Sequence, residues 1–216
     1  MKTTGDPRID ESRAGTIVGS DEAGFGSWAG PLVVCAVATP RGWVDLRVKD
    51  SKSLSAKKRE ALYEEFWKAD GFPMAVEVVP ASVIDEKGVW RALTEAHEKV
   101  IEDTFFRLSE EPLVIVDGNV PTTRGICLPK ADTLVPAVSL ASIIAKVTHD
   151  RVMLEVAKKY PEYNFSSNMG YGGCKKHRAA LDTLGPCPEH RQSYDPVKRA
   201  VREKSAESEW SILDDC

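Results

Sequence analysis

Apolar residues fall along this chain in two rhythms, short runs of the kind that build strands and longer stretches with helical spacing. Their order predicts an α/β domain. TIVGS (16–20) and PLVVCAVAT (31–39) read as strands, the second too uniformly apolar to have a wet face. MAVEVVP (74–80) and PLVIVDGNV (112–120) read as further strands, and RGICLPKADTLVP as a short strand plus a loop. Ser55 stands where a helix cap belongs, ahead of Leu62, Phe66 and Ala69 on one side. From Ala81 to Leu108 the spacing of Val83, Ile84, Val89, Leu93, Ala96, Val100 and Phe105 predicts a short helix and a longer one, separated at Gly88. AVSLASIIAKVTHDRVMLEVAKKY predicts a long helix carrying Asp150, and beyond it glycine or proline loops alternate with short helices around 175–184 and 196–203. The short link near residue 25 predicts an antiparallel first pair of strands.

The organisation expected is a flexible N-terminus over 1–15, one domain over 16–203 whose part from about 161 is helical, and an acidic tail over 204–216, loose or partner-binding. No apolar run approaches the ~20 residues of a membrane helix, and the N-terminus lacks the apolar core of a secretory signal. No membrane association and a cytoplasmic location are therefore expected. The 5 cysteines include Cys35 inside an apolar run, which argues against a disulfide framework. With 29 basic against 33 acidic residues the net charge is -4, so contact with a polyanion has to come from local patches. One patch is Lys49, Lys52, Lys57, Lys58 and Arg59; the other is Lys175, Lys176 and Arg178, with Arg191, Lys198 and Arg199 further on.

Candidate chemistry changes the picture at three acids. Asp21, Glu22 and Asp117 each follow a β-rich run, at the ends where open α/β sheets gather functional groups. Neighbouring strand residues face opposite ways, so Asp21 and Glu22 share a site only if the strand stops there, and Gly24 and Gly26 supply a reason to stop. Carboxylates brought together repel and raise one another's pKa unless a cation neutralises them, and oxygen-only ligands favour Mg²⁺ or Mn²⁺ over zinc. A single strand-end acid more often just solvates a sheet edge; three together do not read that way.

The ordered series GSDEAGFGSWAGPLVVCAV, KDSKSLS, VIVDGN, ASIIAKVTHDR, GYGG followed by His177, and HRQSYDPVKRA resembles type 2 ribonuclease H, specifically ribonuclease HII, from about residue 16 to about 200. The resemblance implies a ribonuclease H-like mixed five-stranded sheet flanked by helices, with a helical C-terminal part. It implies an endoribonuclease that cleaves the RNA strand of RNA/DNA hybrids, or nicks duplex DNA at embedded ribonucleotides, leaving 3′-hydroxyl and 5′-phosphate ends. Its four carboxylates map onto Asp21, Glu22, Asp117 and Asp150, which would serve both as catalytic residues and as ligands of two divalent ions, Mg²⁺ or Mn²⁺. Gly24, Phe25, Gly26, Lys52, Ser53, Lys146 and Tyr171 fall in matched motifs as substrate-binding residues, Tyr171 as a buried side chain between glycine-rich turns. The chain departs from the family at Phe25, where arginine or lysine is usual, at Met169 in place of lysine and at Gly173 in place of threonine; the first departure leans toward the ribonuclease HIII branch.

Cys174, His177, Cys187 and His190 form Cys-x-x-His twice, but both histidines match family positions and no zinc is expected there. The partners expected are a hybrid or ribonucleotide-containing duplex, with the protein itself monomeric, and a replication clamp held by the tail at Trp210 to Leu213. Two alternatives stay open: a ribonuclease H-fold DNA nuclease of the resolvase kind, and a hybrid-binding module without catalysis.

Overall fold

A computed structural model describes residues 15–48, 51–68 and 71–214, apart from the side chains of Lys52 and of residues 206–214. Its strands are β1 Thr16–Ala23, β2 Leu32–Pro40, β3 Met74–Val79, β4 Leu113–Asp117 and β5 Ile126–Leu128, in the sheet order β3-β2-β1-β4-β5. β1 runs antiparallel to β2 and parallel to β4, and β4 runs parallel to β5, which is the mixed five-stranded sheet expected. The helices are α1 Ala56–Lys68, α2 Ala81–Lys87, α3 Val89–Phe105, α4 Pro136–Lys159, α5 Phe165–Asn168, α6 Lys175–Leu184 and α7 Asp195–Asp214.

Local chemistry explains several boundaries. The Ser55 hydroxyl accepts the Lys58 amide at 3.4 Å, capping α1 as predicted, while Ala69 lies outside the described residues. Gly88 ends α2 with its amide on the Ile84 carbonyl at 2.9 Å, so the break before α3 falls where the spacing put it. Two expectations are corrected. β1 does not stop at Asp21 but continues to Ala23, because its pairing with β2 holds in register down to Ala23 opposite Val33. The last helix does not end near 203 but runs to Asp214: nothing after Pro196 breaks the backbone ladder, so the stretch expected to be loose is helical.

The chain forms two compact units. One contains the sheet: the strand ending at Ala23, Val33–Val78 and Trp90–His149. Its core joins Val33, Cys35 and Val37 of β2 to Leu62, Tyr63 and Phe66 of α1 and to Leu140, Ile143, Ile144 and Val147 of α4. β2 is buried at every residue but Pro40, as its unbroken apolar run demanded. A β-carbon on Gly19 would lie 2.3 Å from the Val138 amide nitrogen, so only glycine lets the start of α4 press onto β1. The second unit contains Gly24–Leu32, Val79–Val89 and the chain from Asp150. Its core gathers Ala29, Met153, Val156, Tyr163, Phe165 and Cys187.

Candidate active site

In the first unit the parallel pairing of β1 with β4 ends at Ser20 opposite Val116, so Asp21 and Asp117 are the next residues on adjacent strands. Alternation then sorts the two neighbouring acids. Gly19 and Asp21 share the face covered by α4, where Asp21 is hydrogen-bonded by the Ser142 side chain, itself 2.9 Å from the Ser51 hydroxyl. Ser20 and Glu22 share the opposite face, where His97 of α3 meets both: its Nδ1 lies 2.8 Å from Ser20 Oγ and its Nε2 3.5 Å from Glu22 Oε2. His97 is fully buried, and Ser20 Oγ also lies 2.9 Å from the Cys35 carbonyl, to which it donates. The Ser20 hydroxyl proton is thereby committed, so His97 donates from Nδ1 and turns Nε2 toward Glu22.

Electrostatically the three acids act on one another. Burial first, then the charges of Glu22 and Asp117, hold the Asp21 carboxyl well above the usual carboxylate range, against hydrogen bonds from Ser142 and the Glu22 amide. Burial also raises Asp117, opposed by the Ala131 amide at 2.6 Å and the Asp132 amide at 3.4 Å and reinforced by the Glu22 charge. The donors are all hard oxygens, and a divalent cation would relieve the strain that lifts Asp21, so the residues fit such an ion chemically. Among the described residues no three His, Cys, Asp or Glu side chains stand as a ready-made metal cluster. Strand pairing brings Asp21 beside Asp117, Glu22 takes the opposite face of β1, and one Asp117 oxygen is held by amides.

The other predicted residues of this unit are less concentrated. Ser53 is exposed in a 3₁₀ turn, Ser51–Ser53, whose Lys52 side chain lies outside the described residues, and Lys146 is half-buried on α4. Asp150 is the first residue of the second unit, half-buried on the same helix.

In the second unit the turn after β1 closes on Tyr171. Gly24 donates its amide to the Tyr171 hydroxyl at 3.3 Å, and Ser27 bridges Tyr171. Tyr171 was expected buried; it is 36% exposed, with its hydroxyl at the Gly24 amide. Phe25 is half-buried and Gly26 exposed. Gly170 has φ +79°, and a β-carbon there would sit 2.1 Å from the Ala29 carbonyl oxygen, so the two loops touch only because this residue is glycine.

Behind Tyr171 lies a chain of imidazoles. The Cys187 amide donates to His190 Nδ1 at 3.0 Å, so His190 carries its proton on Nε2 and donates to His177 Nε2 at 3.1 Å; His177 then donates from Nδ1 to the Tyr171 carbonyl at 3.1 Å. Burial lowers both, His190 to about 4 with the neighbouring ring contributing, so both are neutral. Cys187 Sγ contacts Nδ1 of His190 and His177 contacts Nε2, opposite edges of one ring, which no single zinc ion touches together.

Arg191 overturns its sequence reading. It was grouped with a surface patch; it is fully buried, and its guanidinium reaches the turn that follows β1. His97, Ser142 and Tyr194 also went unread. No single-residue signal marked them, although His97 sits in the buried stripe of α3 with Leu93, Ala96 and Val100.

Comparison with known proteins places the chain in a family. The pattern of the Ribonuclease HII family matches residues 18–197. The chain is 41% identical over 187 residues to a Ribonuclease HII from Listeria monocytogenes, covering 85% of this chain and 69% of that protein. Among solved structures it is similar to the ribonuclease HII of a PCNA:RNase HII complex from Archaeoglobus fulgidus, with TM-score 0.66, 31% identity, and coverage of 83% of this chain and 95% of that one. It also shares the fold of Bst-RNase HIII, solved in complex with Mn²⁺, with TM-score 0.67 at 20% identity, covering 89% of this chain and 71% of that one.

Proposed function

Because the chain belongs to the ribonuclease HII family, we propose that it is an endoribonuclease that cleaves the RNA strand of RNA/DNA hybrids and nicks duplex DNA at embedded ribonucleotides, leaving 3′-hydroxyl and 5′-phosphate ends. The observation that supports the reading is the meeting of Asp21 and Asp117 on adjacent strands with Glu22 beside them, where burial and the neighbouring charges lift the Asp21 carboxyl.

Asp21, Glu22, Asp117 and Asp150 would hold two divalent ions, Mg²⁺ or Mn²⁺; the Mn²⁺ complex of the ribonuclease HIII neighbour supports that choice. When bound, the ions supply Lewis acidity toward the scissile phosphate and a more acidic attacking water. The protein's own part is positional. Ser142 orients Asp21, the Ala131 and Asp132 amides fix one oxygen of Asp117, and His97 meets Glu22 on the far face. The turn at Gly24, Phe25 and Gly26, with Tyr171, reads the sugar of the ribonucleotide strand, and Lys52, Ser53 and Lys146 support phosphate. Discrimination of RNA from DNA rests on close backbone approach to the 2′-hydroxyl, which glycine permits. The relative from Archaeoglobus was solved with PCNA, which supports a clamp contact through Trp210 to Leu213 of this chain.

Three duplexes test the reading: an RNA/DNA hybrid, DNA with one ribonucleotide, and plain DNA, each with Mg²⁺ or Mn²⁺. Cleavage of the first two alone is expected. Cutting of plain DNA would favour a resolvase-like nuclease, and binding without cleavage an inactive module.

A further inference from the structure

Arg191 heads the fully buried side chains among the described residues by volume, and every donor it has is used. Nη2 donates to the carbonyls of Gly24 at 2.6 Å and Pro31 at 2.9 Å, Nη1 to the Phe25 carbonyl at 2.8 Å and the Tyr194 hydroxyl at 2.9 Å, and Nε to the Gly30 carbonyl at 3.1 Å. Those are the five N–H groups of a guanidinium, four of them spent on both limbs of one turn and the fifth on Tyr194. The Tyr194 hydroxyl passes its own proton to the Phe25 carbonyl at 2.9 Å, and its ring lies 5.3 Å under the Arg191 Cζ. No carboxylate pairs with Arg191 among the described residues, so main-chain oxygens carry the burden of burying a cation.

This arrangement has a directional result. No peptide bond here is cis, and in a trans peptide the C=O and N–H point opposite ways. Drawing the Gly24 and Phe25 carbonyls inward onto the guanidinium therefore turns the Phe25 and Gly26 amides outward, where Gly26 is exposed. We infer that Arg191 is a positioning residue, holding the turn so that its outward amides meet the ribonucleotide strand. The inference rests on the reading of that turn as the substrate reader.

The test uses the full chain and two variants, Arg191→Lys and Tyr194→Phe. Lysine keeps the charge with three donors and no fork; phenylalanine keeps the packing and removes the bridge to Phe25. Melting temperature reports folding. Binding of an RNA/DNA hybrid is measured by fluorescence anisotropy in EDTA, and KM and kcat on a single-ribonucleotide duplex with Mg²⁺. Arg191→Lys is expected to raise Kd and KM about tenfold with kcat within about threefold, and Tyr194→Phe to raise them about threefold. Kd and KM within about twofold of the parent in a folded variant would overturn the inference. Should the lysine variant fail to fold, Tyr194→Phe decides. A parent that binds hybrid without cutting it sinks the proposed activity and leaves the binding comparison to judge Arg191.

Discussion

Where β1 and β4 cease to pair, burial and neighbouring charges lift the Asp21 and Asp117 carboxyls above their ordinary range, whereas the turn from Gly24 to Pro31 closes on a guanidinium whose five N–H groups all find acceptors. Both regions bury charge, and they treat it in opposite ways. The first leaves like charges close together, a cost accepted where a ligand is to be bound. The second surrounds one charge with dipoles, which makes a rigid element. Stability and activity should therefore respond with opposite signs at the acids and with the same sign at the turn.

The largest effect expected is at Asp21. Asp21→Asn should lower cleavage by roughly 10³-fold while raising the melting temperature at neutral pH, since it removes a charge whose burial is penalised. Lost cleavage with an unchanged or lower melting temperature would break the contrast. Arg191→Met sharpens it from the other side: removing the guanidinium leaves the Gly30 and Pro31 carbonyls without that donor, while Gly24 keeps the Ser27 amide and Phe25 the Tyr194 hydroxyl, and should cost about 3–5 kcal/mol in urea denaturation and weaken hybrid binding together.

Acid titration separates the regions next. His190 and His177 have folded values below their ordinary 6.5, His190 at about 4, so as pH falls from 6.5 the unfolded chain takes up protons that the folded chain refuses. The stability they lend is full above 6.5 and drains away toward pH 4, about 3 kcal/mol for His190. Asp21 works the other way: its raised value adds stability below its ordinary 3.8 and loses it as pH rises through the folded value. Denaturation between pH 7 and 4 should show a steeper acid decline in Asp21→Asn than in the parent, and a shallower one in His190→Asn. The smallest effect expected is at Phe25, where Phe25→Arg should raise cleavage at an RNA-to-DNA junction relative to an RNA tract by about threefold, read from product ratios on one substrate carrying both.

The sheet, and the meeting of Asp21 with Asp117 on it, were legible because each leaves a local trace. Asp117 ends an apolar run and Asp21 follows a β-rich one, and such a run is a statement about burial that needs no partner to interpret. The helix break at Gly88 was legible for the same reason. Which face each acid takes was not, since it depends on how far β1 pairs with β2, and that pairing carries Glu22 onto the side of His97. Arg191 was misread because its acceptors are backbone oxygens, present at every residue and invisible in composition. Tyr171 was half legible: its loop partner Gly24 was foreseen as a neighbour in function, and its exposure was not.

The doubly covered strand β2 also bears on how the chain is made. Val33, Cys35 and Val37 emerge early from the ribosome, yet Leu140, Ile143, Ile144 and Val147, which roof them, follow about a hundred codons later. At ~5–20 residues per second the nascent strand waits on the order of ten seconds without its cover. Newly synthesised copies should lean on holding chaperones until that helix is translated, and slow codons between the two would raise the aggregated fraction.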